Sequence, residues 1–318
     1  MQYIEGLKAY HGRRRTAVTL GKFDGLHRGH EKLIEKVTEC AKAEEIESVV
    51  CSFNMLPFFE SLSIERKILM TKEEQRRRLE ERVDYLVDCP FTREFSMMPA
   101  EIFIRDVLAG LFHAAYVVVG TDFCFGHEKK GTVHMLREYE KKYDYQLIVI
   151  EKEKYHDRVI SSTYTKEALS RGDIPLANYL LGYPYTILGV VEHGRQLGRT
   201  LGFPTLNVAP ESHKIMPPNG VYAVRVHVDG AVYNGIGNVG VKPTVTESNR
   251  ILVESYLFDY HGDAYGKEVA IELYEFRRPE QKFSDIQEMK ACIDRDIEYG
   301  KQYFNKVQKK GFTGNIFL

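Results

Sequence analysis

The sequence has no tryptophan, only five cysteines and no long apolar run. Intrinsic fluorescence must therefore come from the 20 tyrosines. The cysteines are odd in number, widely scattered and without a C-x-x-C pair, which argues against a disulfide framework and a zinc site and favours a reducing, cytoplasmic setting. No stretch approaches the ~20 consecutive apolar residues of a membrane span, and the N-terminal segment lacks the apolar core of a secretory signal.

The charge balance is almost even, with 44 Lys and Arg against 45 Asp and Glu in 318 residues. A general nucleic-acid binder carries an excess of positive charge, so no nucleic-acid partner is expected. Hydrophobic residues make up 43% of the chain, which excludes the disordered and fibrous classes. At about 100–200 residues per domain, the length suggests two domains. The sequence gives no oligomeric state.

The first half of the chain alternates β-prone and helical segments. Short apolar runs predict strands at residues 17–20, 48–53, 84–87, 115–119 and 146–150. Amphipathic or charged segments predict helices at residues 31–43, 72–82, 100–108 and 133–142. Strands separated by helices of this length indicate βαβ units, and therefore an α/β domain with a doubly wound parallel sheet.

The pattern changes near Tyr183, where we place the boundary between a first domain, 1–183, and a second, 184–318. The later segments are short, β-branched or aromatic, and punctuated by glycine, which favours an antiparallel β-barrel. A closing helix is predicted at 284–306, with Ser284 as N-cap and Gln287 completing a capping box.

A glycine-rich turn, G-K-F-D-G-L-H-R-G-H, follows the first predicted strand and opens a helix. Gly21 and Gly25 permit close backbone approach, and the helix N-terminus offers N–H groups to a phosphate. His27 and His30 lie three residues apart, so both can donate to the phosphates of ATP and stabilise departing pyrophosphate. A plain turn with two solvated histidines is the alternative, which the βαβ context makes less favoured.

Two further segments of this half carry polar groups at positions suited to a nucleotide. Asp122 follows a buried strand, at the strand end where doubly wound sheets bind ligands. The segment I-S-S-T at 160–163 opens a short helix and offers hydroxyl and N–H donors, although a simple N-cap is its commoner role in isolation.

The second half contains the glycine-rich, basic loop G-R-Q-L-G-R-T-L-G-F-P-T-L-N at 194–207. Its glycines let backbone N–H groups wrap phosphates, and its second arginine adds charge. Thr205 and Asn207 offer the hard oxygen ligands that suit Mg²⁺. The alternative is a β-hairpin corner, and the loop is no Walker motif because G-K-[ST] is absent. The predicted phosphate-binding residues are Gly194, Gly198, Arg199 and Gly202.

Glu254 lies in an apolar strand, where a glutamate is a poor β-former and is costly if buried without a partner. A carboxylate there can take the proton of a primary hydroxyl as it attacks the γ-phosphorus of ATP. The alternative is an outward-facing residue in solvent, and spacing does not decide between them.

Together these motifs resemble those of bacterial bifunctional riboflavin kinase/FMN adenylyltransferases, also called FAD synthetases. H-R-G-H looks like the nucleotidylyltransferase turn, and P-T-L-N looks like the kinase motif P-T-A-N. N-V-G-V-K-P-T at 238–244 and F-R-R-P-E-Q-K-F at 276–283 are similar to further family motifs. The resemblance covers essentially the whole chain. It implies a nucleotidylyltransferase-like sheet, then a riboflavin-kinase barrel with a C-terminal helix.

The resemblance implies that the second domain phosphorylates riboflavin to FMN and that the first transfers AMP from ATP to FMN, giving FAD and pyrophosphate. It implies Glu254 as the kinase base, Mg²⁺ as cofactor, and Arg278 and Tyr222 at the flavin, although aromatic strand residues more often belong to a core. Riboflavin, FMN and ATP are the expected partners, with no membrane. The ATP-binding residues implied in the first domain are Gly21, Phe23, Asp24, Gly25, Asp122, Ser161, Ser162, Thr163 and Lys166.

Four residues around the first site depart from the family pattern: Lys22, Leu56, Cys124 and Lys166. Leu56 stands where a histidine is expected, and Lys166 loses the bidentate geometry of an arginine. These departures leave open a kinase-only enzyme whose first domain no longer adenylylates. A flavin-responsive regulator is a third interpretation. The P-T-L-N motif and Glu254 count against it, because a sensor needs neither metal ligand nor base.

Overall fold

The computed structural model describes residues 1–194, 202–243 and 249–309. Internal contacts divide the chain after Ser162 into two compact units. The barrel of the second unit begins only at Tyr185, after two short helices. The boundary near residue 183 stays a prediction.

A parallel sheet forms the centre of the first unit. The strands of this unit are β1 (Gln2–Glu5), β2 (Thr16–Gly21), β3 (Glu47–Asn54), β4 (Tyr85–Pro90), β5 (Ala114–Gly120), β6 (Cys124–Phe125), β7 (Gly131–Thr132), β8 (Gln146–Ile150), β9 (Lys154–Tyr155) and β10 (Arg158–Val159). Six of them pair in the order β1-β4-β3-β2-β5-β8, all parallel, and β6–β7 and β9–β10 form small antiparallel pairs. This arrangement confirms the predicted doubly wound sheet.

The strand order reverses at β2, because β3 and β4 lie on one side of it and β5 and β8 on the other. Ligands of doubly wound sheets bind beyond the carboxyl ends of the strands at such a reversal. The fold therefore places a crevice after β2 and β5, where the chain continues into the glycine-rich turn and towards Asp122.

Helices cover the sheet. They are α1 (Arg28–Ala43), α2 (Leu56–Ser61), α3 (Lys72–Leu79), α4 (Arg93–Ser96), α5 (Ala100–Ile102) and α6 (Val133–Tyr143), with a π-helix at Phe103–Leu111 and 3₁₀ turns at Leu7–Ala9 and His127–Lys129. The helix predicted at 100–108 is confirmed, although most of it has π-helical rather than α-helical geometry. The π-helix still buries one apolar face, which includes Phe103, Val107 and Leu108.

The second unit is a closed antiparallel barrel, as predicted. Helices α7 (Ser162–Ser170) and α8 (Ile174–Leu181) precede strands β11 (Tyr185–Glu192), β12 (Leu206–Val208), β13 (Gly220–Val228), β14 (Ala231–Pro243), β15 (Asn249–Leu257) and β16 (Glu268–Pro279). The strand order is β11-β12-β15-β14-β13-β16, and β16 pairs back to β11. Val253, Ser255 and Leu257 are buried, whereas Glu254 and Tyr256 between them are half-buried on the opposite face.

A closing helix, α9 (Ile286–Lys309), packs on the barrel through Phe304, which contacts Tyr274. Its cap lies one residue beyond the predicted Ser284–Gln287 pair. The Asp285 carboxylate accepts a hydrogen bond from Glu288 N at 2.8 Å. The Glu288 carboxylate accepts one from Ser284 Oγ at 2.7 Å, so Ser284 lies outside the helix.

Candidate active sites

The turn at residues 22–26 joins β2 to α1 where the strand order reverses. Phe23, Gly25 and Leu26 have φ angles of 44°, 94° and 39°. This left-handed backbone suits glycine but costs any other residue about 1–3 kcal/mol, and strain of this kind clusters at ligand sites. The turn is therefore a candidate ligand-binding turn on backbone geometry as well as on its sequence.

Asp24, which the sequence places at ATP, helps to hold this turn in shape. Its Oδ1 accepts a hydrogen bond from Leu69 N at 2.6 Å, and its carbonyl accepts one from Ser162 Oγ at 2.7 Å. Ser162 begins α7, so the predicted I-S-S-T segment does reach the turn. Gly21, the last residue of β2, leads directly into it.

His27 and His30 form a stacked pair at the start of α1. Their ring centroids are 3.7 Å apart with an interplanar angle of 18°, and the Phe23 ring meets His30 edge-on at 5.0 Å. His27 is only 7% exposed, so two freely solvated histidines are excluded. Both Nδ1 atoms are buried without a hydrogen-bond partner among the residues that the structure describes. Burial lowers the pKa of His27 to about 4, and burial also lowers the pKa of His30. Both rings are therefore neutral at pH 7, and a neutral imidazole can still donate one hydrogen bond.

The low pKa of His27 predicts acid sensitivity of the first unit. A histidine whose folded pKa is about 4, against 6.5 in the unfolded chain, contributes stability that is complete above pH 6.5 and declines as the pH falls towards 4. We expect a loss of about 2 kcal/mol from this residue between pH 7 and pH 5. Native-state hydrogen exchange of the α1 amides measures it. A His27→Gln variant should lose correspondingly less, and equal losses in both proteins would contradict the assignment.

Charged residues of both signs surround this end of the sheet. Asp122, beyond the end of β5, is exposed and pairs with Lys152 Nζ at 2.5 Å. Glu153 pairs with Arg28 Nε at 2.7 Å and with Lys32 Nζ at 3.3 Å. The predicted acceptor Asp122 is therefore accessible to a ligand, but its present partner is a lysine.

The remaining predicted nucleotide residues lie along the start of α7. Ser161 and Lys166 are half-buried, and Thr163 is exposed. Of the other positions that depart from the family pattern, Lys22 and Cys124 are exposed, and Leu56 is the first residue of α2. Leu56 N donates to Asn54 Oδ1 at 3.1 Å.

A group of phenylalanine rings that the sequence does not predict lies at, or just beyond, the carboxyl ends of β3, β4 and β5. We call it the aromatic cluster. It consists of two groups, and within each group neighbouring ring centroids are 5.5–6.1 Å apart. The rings are half-buried, except for that of Phe125, which is buried. The buried Phe103 ring links the groups, with its centroid 6.3 Å from that of Phe95 and 5.3 Å from that of Phe125. The first group is Phe53, Phe58, Phe91 and Phe95, and the second is Phe123 and Phe125. Half-buried rings beside a ligand crevice suit a flat aromatic ligand. Only F-N-M-L-P-F-F at 53–59 is a visible sequence signal.

The barrel register brings the predicted kinase residues together. Glu254 on β15 pairs with Asn207 on β12 and with Asn238 on β14. Directly opposed residues of antiparallel strands share a face, with Cβ atoms roughly 4.5–5.5 Å apart. The predicted base therefore lies beside a predicted metal ligand. Asn238, its partner on the other neighbouring strand, donates from Nδ2 to Glu280 Oε1 at 3.0 Å.

Asn207 presents an oxygen suited to a cation. The residue is 6% exposed, and its Oδ1 is buried with no hydrogen-bond partner within the described ranges. Its Nδ2 donates to Thr205 O at 3.4 Å. A buried amide oxygen without a donor is costly unless it is satisfied by a ligand. The residues present therefore fit Mg²⁺.

Gly194, which has no side chain, leaves room for the amide group of Asn207. A Cβ at this position would lie 2.6 Å from Asn207 Nδ2, so any side chain must displace the amide. We expect Gly194→Ala to lower kcat/KM for Mg-ATP in FMN formation about tenfold, a loss of about 1.4 kcal/mol of transition-state stabilisation. Titration of the rate with Mg²⁺ measures it. FAD formation from supplied FMN should not change, and an unaltered Mg²⁺ dependence would refute the explanation.

A cavity of about 350 Å³ opens beside Thr205 and Asn207. The loop at 260–265 forms its other wall, and the Tyr265 ring stacks on His193 at 3.8 Å. Gly202, with a φ of 88°, lies three residues before Thr205. The predicted residues Gly198 and Arg199 lie outside the described residues.

The two predicted flavin residues are tied into the barrel. Tyr222 is fully buried, packs on Phe276 at 5.2 Å and donates its hydroxyl hydrogen bond to Pro218 O. Burial raises its pKa, and its position favours the core role. Arg278 donates to the buried Asp296 carboxylate from Nη2 at 2.7 Å and from Nε at 3.0 Å. This pair joins β16 to α9.

Comparison with known proteins matches the two parts of the chain to two different families. A riboflavin kinase family model matches residues 181–304, and an FAD synthetase family model matches residues 10–164. Within the described residues, no helix is long and apolar enough to cross a membrane.

Several relatives match along nearly their full length. The bifunctional riboflavin kinase/FMN adenylyltransferase of Bacillus subtilis is 37% identical, with 93% of this chain and 94% of the relative covered. That of Haemophilus influenzae is 33% identical, with 96% and 100% covered. A solved structure described as a macrolide-efflux protein from Streptococcus pneumoniae has a TM-score of 0.84 and 28% identity, covering 94% of this chain and 98% of that one.

Proposed function

The chain belongs to the bifunctional riboflavin kinase/FMN adenylyltransferase family, and we propose that its second unit phosphorylates riboflavin and its first unit adenylylates the FMN formed. The observation that carries the kinase assignment is the register that pairs Glu254 with Asn207, whose buried Oδ1 has no hydrogen-bond partner in the part of the chain that the structure describes. The stacked, neutral histidines at the reversal of strand order support the second reaction.

In the kinase reaction, the Glu254 carboxylate takes the proton of the primary hydroxyl of riboflavin. The hydroxyl oxygen attacks the γ-phosphorus of ATP, and the bond to the β-phosphate oxygen breaks to release ADP. Asn207 Oδ1 and the Thr205 hydroxyl would hold Mg²⁺, which neutralises phosphate charge when bound. In this proposal the nucleotide binds in the cavity of about 350 Å³ beside these two residues.

In the adenylyl transfer, a phosphate oxygen of FMN attacks the α-phosphorus of ATP, and the bond to pyrophosphate breaks. His27 and His30 donate hydrogen bonds to the phosphates, which stabilises the charge that develops on the leaving group. The strained turn and the Ser162 end of α7 position the triphosphate, and the aromatic cluster holds the isoalloxazine ring.

One incubation tests both assignments. Purified protein is mixed with riboflavin, ATP and Mg²⁺, and riboflavin, FMN and FAD are separated by chromatography. Sequential formation of FMN and FAD supports both units. FMN alone, even with excess FMN and ATP supplied, would favour the kinase-only enzyme, and the absence of both products would favour a flavin-responsive regulator.

We also infer a cytoplasmic location. All five cysteines are free thiols, and four are buried, which supports a reducing compartment. Fractionation of the native cells tests it.

A further inference from the structure

Helix α3 contacts the turn of residues 22–26 through the buried side-chain amide of Gln75. Gln75 is 9% exposed. Its Nε2 donates to Phe23 O at 3.2 Å and to Ser52 Oγ at 3.1 Å. Because a carbonyl oxygen only accepts, the bond to Phe23 fixes the amide with its NH₂ group towards the turn.

Phe23, whose carbonyl accepts the hydrogen bond from Gln75, packs against the histidine pair. Phe23 has a φ of 44°, an unfavourable backbone conformation for a residue with a side chain. Its ring packs on His30, and His30 stacks on His27. If the Phe23 carbonyl were released, the peptide could relax, and the two rings would follow it.

Helix α3 is itself fixed, so it can act as a rigid support. Thr71 N donates to Glu74 Oε2 at 2.9 Å, and Glu74 N donates to Thr71 Oγ1 at 3.2 Å, which completes a capping box. Just before this cap, Leu69 N donates to Asp24 Oδ1. The start of α3 therefore holds the turn at two points.

We propose that Gln75 is a positioning residue for the adenylyl transfer of the first unit. It contacts no reacting atom and acts through Phe23 on His30 and His27. This inference rests on the function proposed for the two histidines.

Gln75→Met tests the inference, because methionine has a similar length and no donor. We expect kcat for FAD formation to fall about 10- to 100-fold, the scale of a small displacement of reacting groups. KM for FMN and ATP should change by less than about threefold, since substrate contacts remain. FMN formation should not change. The matched control is Arg76→Met, at the next, exposed position of the same helix, which should retain the wild-type kcat.

Gln75→Glu separates positioning from a general loss of stability. The carboxylate places an acceptor against the Phe23 carbonyl, and burial raises the pKa of such a group, so protonation restores a donor. We expect FAD formation by this variant, relative to wild type, to rise as the pH falls from about 8 to about 6.

A Gln75→Met enzyme with a kcat within twofold of wild type overturns the inference, as does an equal loss in Arg76→Met. Should Gln75→Met fail to fold, the Gln75→Glu profile decides, and a profile parallel to wild type overturns it. The wild-type rate in the same assay tests adenylylation itself, whereas the ratio of variant to wild type tests Gln75.

Discussion

Glu254→Gln is expected to lower kcat for FMN formation by about 10³-fold, within the range that removal of a general base produces. Glutamine keeps the shape of the side chain and its place between β12 and β14 but cannot accept the proton of the riboflavin hydroxyl. KM for ATP should change little, because the proposed contacts to Mg-ATP are at Thr205 and Asn207. Steady-state kinetics with riboflavin as substrate measures both constants.

Two controls distinguish this loss from damage to the barrel. The same Glu254→Gln protein should convert supplied FMN to FAD at the wild-type rate, since that reaction belongs to the first unit. Glu268→Gln changes an exposed glutamate at the start of β16 and should leave FMN formation intact. If Glu254→Gln keeps more than about a tenth of the wild-type kcat, Glu254 is not the general base.

The kinase residues show where sequence reasoning is sufficient and where it fails. The spacing of short glycine-punctuated segments predicts the barrel, and hard oxygen atoms in P-T-L-N predict a metal site. Neither the spacing nor the motif predicts that Asn207 lies opposite Glu254. That pairing depends on which strands are neighbours in the barrel and on their register, which local sequence does not determine. For Tyr222 the sequence leaves both a flavin pocket and the commoner core role open, and the burial of the side chain favours the core role.

In the first unit, apolar runs locate the parallel strands, since buried parallel strands contain few polar residues. The same patterns predict a helix at 100–108 but not its type, and the chain forms a π-helix there, in which Phe112 N donates to Val107 O. Both helix types bury one apolar stripe, so hydrophobic periodicity over so few turns does not separate them. The aromatic cluster was missed because its rings come from the ends of several strands, which only the folded sheet gathers.

For His27 and His30, the structure adds information on ring geometry and charge that the sequence motif does not contain. Spacing alone predicts that His27 and His30 share a ligand. The structure adds that the rings stack and that burial keeps them neutral at pH 7, so the contribution that we propose for them is hydrogen bonding to phosphate without formal charge. Adenylylation should consequently show no titration of His27 between about pH 6 and pH 8, because its pKa is about 4.

His30→Ala is expected to lower kcat for FAD formation by about 10²- to 10³-fold, the cost of removing one aligned donor from a developing negative charge. FMN formation by the same protein should match wild type. Alanine also removes the ring that packs between Phe23 and His27, so His30→Asn is the more informative partner variant. The asparagine amide offers a donor near the position of Nδ1 and should recover part of the rate.

His134→Ala is the matched control for this experiment, because His134 lies on α6 of the same unit with its side chain 82% exposed. It should form FAD at the wild-type rate. Unchanged FAD formation by His30→Ala would remove His30 from the mechanism, whatever the family motif implies. A loss in His30→Ala that His30→Asn does not recover would assign the ring to packing of the turn, because a donor alone would then have no effect on the transition state.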